Sequence, residues 1–253
     1  MLTTGIYMFG KCSNLMSISG SAPYLVNGLL MFLRCGNLTQ DNISLTGFTN
    51  TLQEGYGMFQ NSGITSIPWN FPNLVNAKQM FYRTQITSLD INTGVQFPSI
   101  RQTTAAEGFE GGDYPVAHMF AYCPLETICF DVSSLSHGVS MFSNCTQLTS
   151  CTGAKFGSGG NYQSMFTESK FDAASAYTIF QAAVDANVSL LHIGCGFQIN
   201  TACELVSNYQ LELENTSGNQ WIDKNYPNII FVDNSSEAQS ASIVEDDCPP
   251  IEH

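Results

Sequence analysis

A chain of 253 residues with 43% apolar content can bury a substantial core, either as one large domain or as a continuous stack of small units. Only 11% of its residues are charged, against a usual figure of about 25%, which excludes long salt-bridged surface helices, and a net charge of −13 repels phosphate backbones and so argues against nucleic-acid binding. No apolar stretch approaches the roughly 18 to 20 residues that span a bilayer, so no membrane insertion is expected.

The first residues, "MLTTGIYMFGKC", lack a basic region followed by a long apolar run, so no secretory signal is visible. Export would need a longer precursor or another route. The same stretch introduces a phrase that recurs. Met-Phe pairs stand at Met8-Phe9, Met31-Phe32, Met58-Phe59, Met80-Phe81, Met119-Phe120, Met141-Phe142 and Met165-Phe166, at offsets of 23, 27, 22, 39, 22 and 24. Such a period marks a repeat whose units cannot bury their apolar faces alone and must stack on copies of themselves.

Upstream of each pair the apolar residues fall at i, i+4, i+7, as in Leu25, Leu29, Phe32; Leu52, Tyr56, Phe59; and Leu135, Val139, Phe142. That spacing predicts one stripe of a short helix. Downstream the spacing becomes L-x-x-L-x-L, complete in Ile86, Leu89, Ile91 and in Leu125, Ile128, Phe130, and this predicts a short strand. The expected fold class is therefore an α/β solenoid of short helix plus short strand units. Cys12, Cys35, Cys123 and Cys145 each lie four residues after a repeat Met, where Ser62, Thr84 and Ser169 stand in other copies. Their spacing is set by the repeat, which favours core thiols over disulfides or zinc.

Phrases such as "MFSNCTQLTS", "MFGKCSNLMS" and "MFAYCPLETICF" resemble the BspA-like leucine-rich repeats of bacterial surface proteins, some protist surfaces and certain phage tails. The resemblance covers roughly residues 7–171 and implies a noncatalytic, usually adhesive, recognition surface.

Between Met80 and Met119 the rhythm breaks. "FPSIRQ" at 97–102 restarts a unit as "FPNLVN" did at 71–76, but "TTAAEGFEGGDYPVAH" follows, and a loop is expected near 103–115. It is either a tolerated insertion or a reach toward a partner, with Phe109, Asp113 and Tyr114 as candidate contacts. The expected division of the chain is a repeat stack over 1–170, an α+β capping unit over 171–232 that shields the last repeat, and an acidic tail over 233–253. No comparable cap precedes Tyr7, so the candidate covers for the first repeat are a segment missing from this sequence, a neighbouring subunit or another protein.

Chemistry finds little purchase. His118, His137, His192 and His253 stand in unrelated contexts, "GGD" at 111–113 is too short for a calcium repeat, and "GSGG" at 157–160 lacks the Lys-Ser/Thr of a phosphate loop. No enzymatic activity, cofactor or metal is expected. Alignment of the strands puts Ser66, Ser88, Thr127 and Ser150 in one outward row, with Asp90 and Asp131 beside it. That row either merely solubilises a strand face or forms a hydroxyl array for a repetitive polar ligand. The expected function is recognition or adhesion toward a protein or surface glycan, at an extracellular surface or on a virion. The alternative is a structural or decoration subunit of a larger assembly such as a phage particle.

Overall fold

Each Met-Phe pair sits in a tight double turn, because the residue just before every repeat Met and the residue three after it are left-handed. In the computed structural model, which describes residues 1–100 and 114–235, the first set is Tyr7, Leu30, Gly57, Gln79, His118, Ser140 and Ser164. The second is Lys11, Arg34, Asn61, Arg83, Tyr122, Asn144 and Glu168. A non-glycine residue in that region costs about 1–2 kcal/mol. Backbone bonding between copies offsets the cost. Tyr7, Phe9 and Lys11 donate their N–H groups to Leu29, Met31 and Leu33 of the next copy, while Met8, Gly10 and Cys12 donate within the turn to Gly5, Tyr7 and Phe9. Half of the donors therefore point along the stack, which no helix permits.

The predicted helices are accordingly absent, and the expected solenoid of helix plus strand units is not the fold. The middle member of each i, i+4, i+7 set shows why the spacing misled: Leu29, Tyr56 and Val139 are only half buried, whereas the flanking Leu25, Phe32, Leu52, Phe59, Leu135 and Phe142 are buried. The chain is a mostly sheet α/β domain, and its strands gather in three separate sheets instead of one continuous one. β1 (Ile18–Ser21) pairs in parallel with β2 (Ile43–Thr46). After the one-turn helix α1 (Phe48–Thr51), the strands β3 (Ser88–Asn92), β4 (Thr127–Val132) and β5 (Ser150–Phe156) form a parallel sheet in chain order, with α2 (Thr93–Gln96) following β3. Leu89, Ile91, Ile128, Phe130 and Val132 point inward from it, as the period of two requires.

The third sheet holds β6 (Asn161–Phe171), β7 (Leu190–Cys195), β10 (Tyr226–Asp233), β9 (Gln220–Asp223) and β8 (Leu213–Ser217) in that spatial order. β6, β7 and β10 run parallel, and β8 and β9 form an antiparallel hairpin beside them. The seventh Met-Phe pair lies inside β6, so the last turn of the repeat is also an edge of this sheet. The connection from β6 to β7 is α3 (Ala173–Asp185), whose N-cap Asp172 accepts the Ser175 N–H at 2.7 Å. Ala176, Ile179, Phe180 and Ala183 form its buried face. Of the described helices, α3 alone exceeds four residues; α4 (Glu204–Ser207) is one turn.

The core is built around a column of rings. Phe9, Phe32, Phe59, Phe81, Phe120, Phe142 and Phe166 stack with centroids 5.5–5.6 Å apart and interplanar angles of 3–12°, and Phe171 closes the column edge-on at 5.3 Å. Phe81 and Phe120 are neighbours in this column, so the copies on either side of the 39-residue offset stack directly.

The repeat cysteines serve the same column. The Cys35, Cys123 and Cys145 thiols donate to the carbonyls of Phe9, Phe81 and Phe120, each one copy upstream, at 3.0, 3.1 and 3.3 Å. At the equivalent positions the Thr84 hydroxyl donates to the Phe81 carbonyl at 3.0 Å, whereas the buried Ser62 and Ser169 hydroxyls have no hydrogen-bond partner among the described residues. Eight cysteines are free thiols, and Cys248 lies outside the described residues.

Candidate functional site

Three surfaces of the described residues carry polar groups in arrangements beyond what folding alone needs. The first is the outer face of the β3–β4–β5 sheet. Register pairs Ser88 with Thr127 and Thr127 with Ser150, so these three hydroxyl residues form one row across parallel strands, about 4.8 Å from one to the next. Ser88 and Thr127 are exposed and Ser150 is half buried. Ser66 is exposed but lies in a stretch without regular structure, outside this sheet. Asp90 is exposed two residues along β3.

Asp131 faces the same way, but its carboxylate is engaged. It takes the Lys155 ammonium at 3.1 Å and both the N–H and the hydroxyl of Ser133. Burial pushes its acidity down, yet the Ser133 hydrogen bonds and the Lys155 charge outweigh that and hold the carboxyl below the ordinary aspartate value. Asp131 thus fixes the local turn, and Asp90 on the same face makes no ion pair among the described residues. Of the three candidates near the long gap, Phe109 and Asp113 lie outside the described residues, and Tyr114 stacks on the His137 ring at 4.5 Å.

Of the described histidines, His118 and His137 lie in different copies and His192 lies on β7. Burial holds His118, His137 and His192 below the usual imidazole value, with the Lys78 charge adding to the effect at His118. His192 accepts the Ser164 N–H through Nδ1 at 3.0 Å, which only a neutral ring can do. Burial pushes the Cys123 and Cys151 thiols up to about 11 and raises those of Cys145 and Cys195 as well. Thiols held protonated in this way are poor nucleophiles. Among the described residues no three His, Cys, Asp or Glu side chains gather in a group able to hold a metal ion, and no helix is long and apolar enough to cross a membrane.

The second surface follows the double turns, and sequence reasoning missed it. Several of the left-handed residues beside the Met-Phe pairs, Tyr7, Lys11, Arg34 and Tyr122 among them, are exposed, and Tyr7 meets Lys11 with the ammonium 5.9 Å from the ring centroid. Further along, Lys78 lies over Tyr56 at 5.6 Å, and the Arg83 guanidinium lies 5.3 Å from Tyr82 and 4.7 Å from Tyr122. The signal was present in the phrase itself: Lys11, Arg34 and Arg83 all stand three residues after a repeat Met.

The third is a cleft of about 490 Å³ at the carboxyl ends of β6 and β7, lined among others by Lys170, Asp172, Phe197, Cys203 and Glu204. Parallel α/β sheets place ligand crevices at that end of their strands. Compared with known proteins, the chain finds no matching family model, no matching curated protein and no matching solved structure.

Proposed function

We propose that the chain is a noncatalytic recognition or adhesion module that binds a surface glycan or protein, at an extracellular or virion surface, through the outer face of β3–β4–β5. The observation that carries this reading is the in-register row of Ser88, Thr127 and Ser150 on a sheet face with few charges. A row of hydroxyls repeating at the strand spacing suits a repetitive polar ligand, whose weak single contacts sum over several rungs. The resemblance of the Met-Phe phrases to BspA-like repeats supports the same assignment. The test is a glycan array with the wild-type chain and with a Ser66→Lys, Ser88→Lys, Thr127→Lys variant. All three positions are exposed, so the variant is expected to keep its circular dichroism spectrum and to lose the wild-type signal. Unchanged binding by the variant would remove the strand face from the function.

A second reading, a structural subunit of a larger assembly, is favoured by the edge formed by residues 4–12. Met8 is 44% exposed where Met31 is 1% exposed, and the carbonyls of Ile6, Met8 and Gly10 stand where Leu29, Met31 and Leu33 accept N–H groups from the preceding copy. In the first six Met-Phe turns the donors between copies point toward the C-terminal side, so this edge offers acceptors. Two such edges cannot pair with each other, and a neighbour that covers it must bring backbone donors. Replacing Met8 by Lys should abolish co-purification of that neighbour from the native source without changing the melting temperature. Unaltered co-purification would eliminate this reading.

A further inference from the structure

Charge is segregated within the chain in a way that the strand face does not use. Residues 1–100 hold four basic and three acidic side chains, a net +1, although the whole chain carries −13. All four basic residues, Lys11, Arg34, Lys78 and Arg83, belong to the Met-Phe turns. The acidic ones lie elsewhere: Asp41 in the single 3-10 turn at Gln40–Asn42, Asp90 on β3, and Glu54 with its carboxylate already accepting the Tyr56 N–H and the Asn76 amide. Among the described residues Lys11, Arg34 and Arg83 pair with no carboxylate.

The spacing of these three cations is fixed by backbone bonding. Lys11 donates to Leu33, Arg34 to Gln60, Asn61 to Tyr82 and Arg83 to Ala121, so the residues occupy equivalent places on successive rungs. Lys11 and Arg34 are one rung apart, about 4.8 Å, and Arg34 and Arg83 are two rungs apart, about 10 Å, with Asn61 between. The Arg83 guanidinium lies beside the Tyr82 and Tyr122 rings, 5.3 and 4.7 Å from centroids that are themselves 5.2 Å apart, so both rings hold it from one side. Tyr7 and Tyr122, 36% and 40% exposed, add ring faces beside the charges.

We propose that this stripe is a second binding site, distinct from the hydroxyl face, for a linear acidic polysaccharide built from carboxylate-bearing sugars. One rung is close to the length of one sugar unit, so a carboxylate on every residue of such a chain meets Lys11, Arg34 and Arg83 in register. The apolar faces of the sugars meet Tyr7 and Tyr122. A duplex nucleic acid fits less well, because along each strand its phosphates recur at about 3.4 Å of helix axis, out of step with the rungs.

The experiment is affinity electrophoresis of the full chain through gels containing polygalacturonate, methyl-esterified polygalacturonate or polyphosphate. The wild type should be retarded by polygalacturonate alone. Arg34→Gln should weaken retardation by about tenfold in apparent Kd, and Arg34→Gln with Arg83→Gln should abolish it. Lys155→Gln with Lys224→Gln, which removes as much charge from outside the stripe, should leave it unchanged. Arg34 is exposed, so its single variant is readable even if the double variant folds poorly. Absence of wild-type retardation, equal retardation by the esterified polymer or by polyphosphate, or equal loss in the Lys155/Lys224 variant would each overturn the proposal. None of these results depends on the Ser88–Thr127–Ser150 row, so failure here and failure of the strand-face reading are separable.

Discussion

Replacement of Phe120 by alanine is expected to cost about 3–5 kcal/mol of unfolding free energy, a large share of the roughly 5–15 kcal/mol available to a domain. Phe120 is fully buried and lies between Phe81 and Phe142, with both centroid distances 5.5 Å and interplanar angles of 3° and 8°. Its removal opens a cavity whose walls are two ring faces. Those rings cannot close the gap, because their backbones are tied to the central turn on both sides: Phe81 donates to Met119, and Phe120 to Met141. Phe9, at the open end of the column, has one ring neighbour and is only partly buried, so Phe9→Ala should cost less than half as much. Urea unfolding of the two variants measures the contrast. A Phe120→Ala loss below about 1 kcal/mol, or equal losses at both sites, would mean that the column is not the spine of the core.

Gly157→Ala should be comparably damaging, by about 3 kcal/mol or more, for a different reason. The Gly157 N–H donates to the buried Tyr162 hydroxyl at 2.7 Å, and that hydroxyl donates onward to the Leu135 carbonyl at 2.7 Å. Burial holds the phenol protonated, raising its pKa to about 12, so this donor persists over the whole working range of pH. A Cβ on Gly157 would land on the Leu135 carbonyl oxygen. Backbone cannot swing aside like a flexible side chain, so β5 must separate from the turn that holds Leu135. Gly159, two residues on, has φ +67 but nothing within 4 Å of its missing Cβ. Gly159→Ala should therefore cost only the left-handed strain of about 1–2 kcal/mol. Thermal melts of the pair give the comparison, and a Gly157→Ala protein as stable as Gly159→Ala would show that the close approach to Leu135 is relieved at little cost.

Much of the interior was readable from residue order. The Met-Phe period named the buried column in advance, since Met31, Phe32, Met58, Phe59, Met80, Phe81, Met119, Phe120, Met141 and Phe142 are all buried. Alternation along Leu89, Ile91 and Ile128, Phe130 fixed the inward side of β3 and β4, and hence the outward row of Ser88 and Thr127. These are statements about which side chains leave water. Apolar periodicity encodes that directly.

Secondary structure in the repeat was decided by the stack. Spacing at i, i+4, i+7 is satisfied equally by one stripe of a helix and by a double turn whose ends are buried, and it does not say where the backbone N–H groups go. In isolation Tyr7, Lys11, Arg34 or Arg83 gains nothing from a left-handed conformation. Each adopts it because the neighbouring copy supplies a carbonyl, as Leu29 does for Tyr7 and Ala121 for Arg83. The grouping of strands into three sheets, the removal of Asp131 from the strand face by Lys155 and Ser133, and the alignment of Lys11, Arg34 and Arg83 on successive rungs have the same origin. Residue order set what is buried; contacts between segments some 22 or more residues apart chose the hydrogen-bond partners, and with them the backbone shape and the charged stripe on its surface.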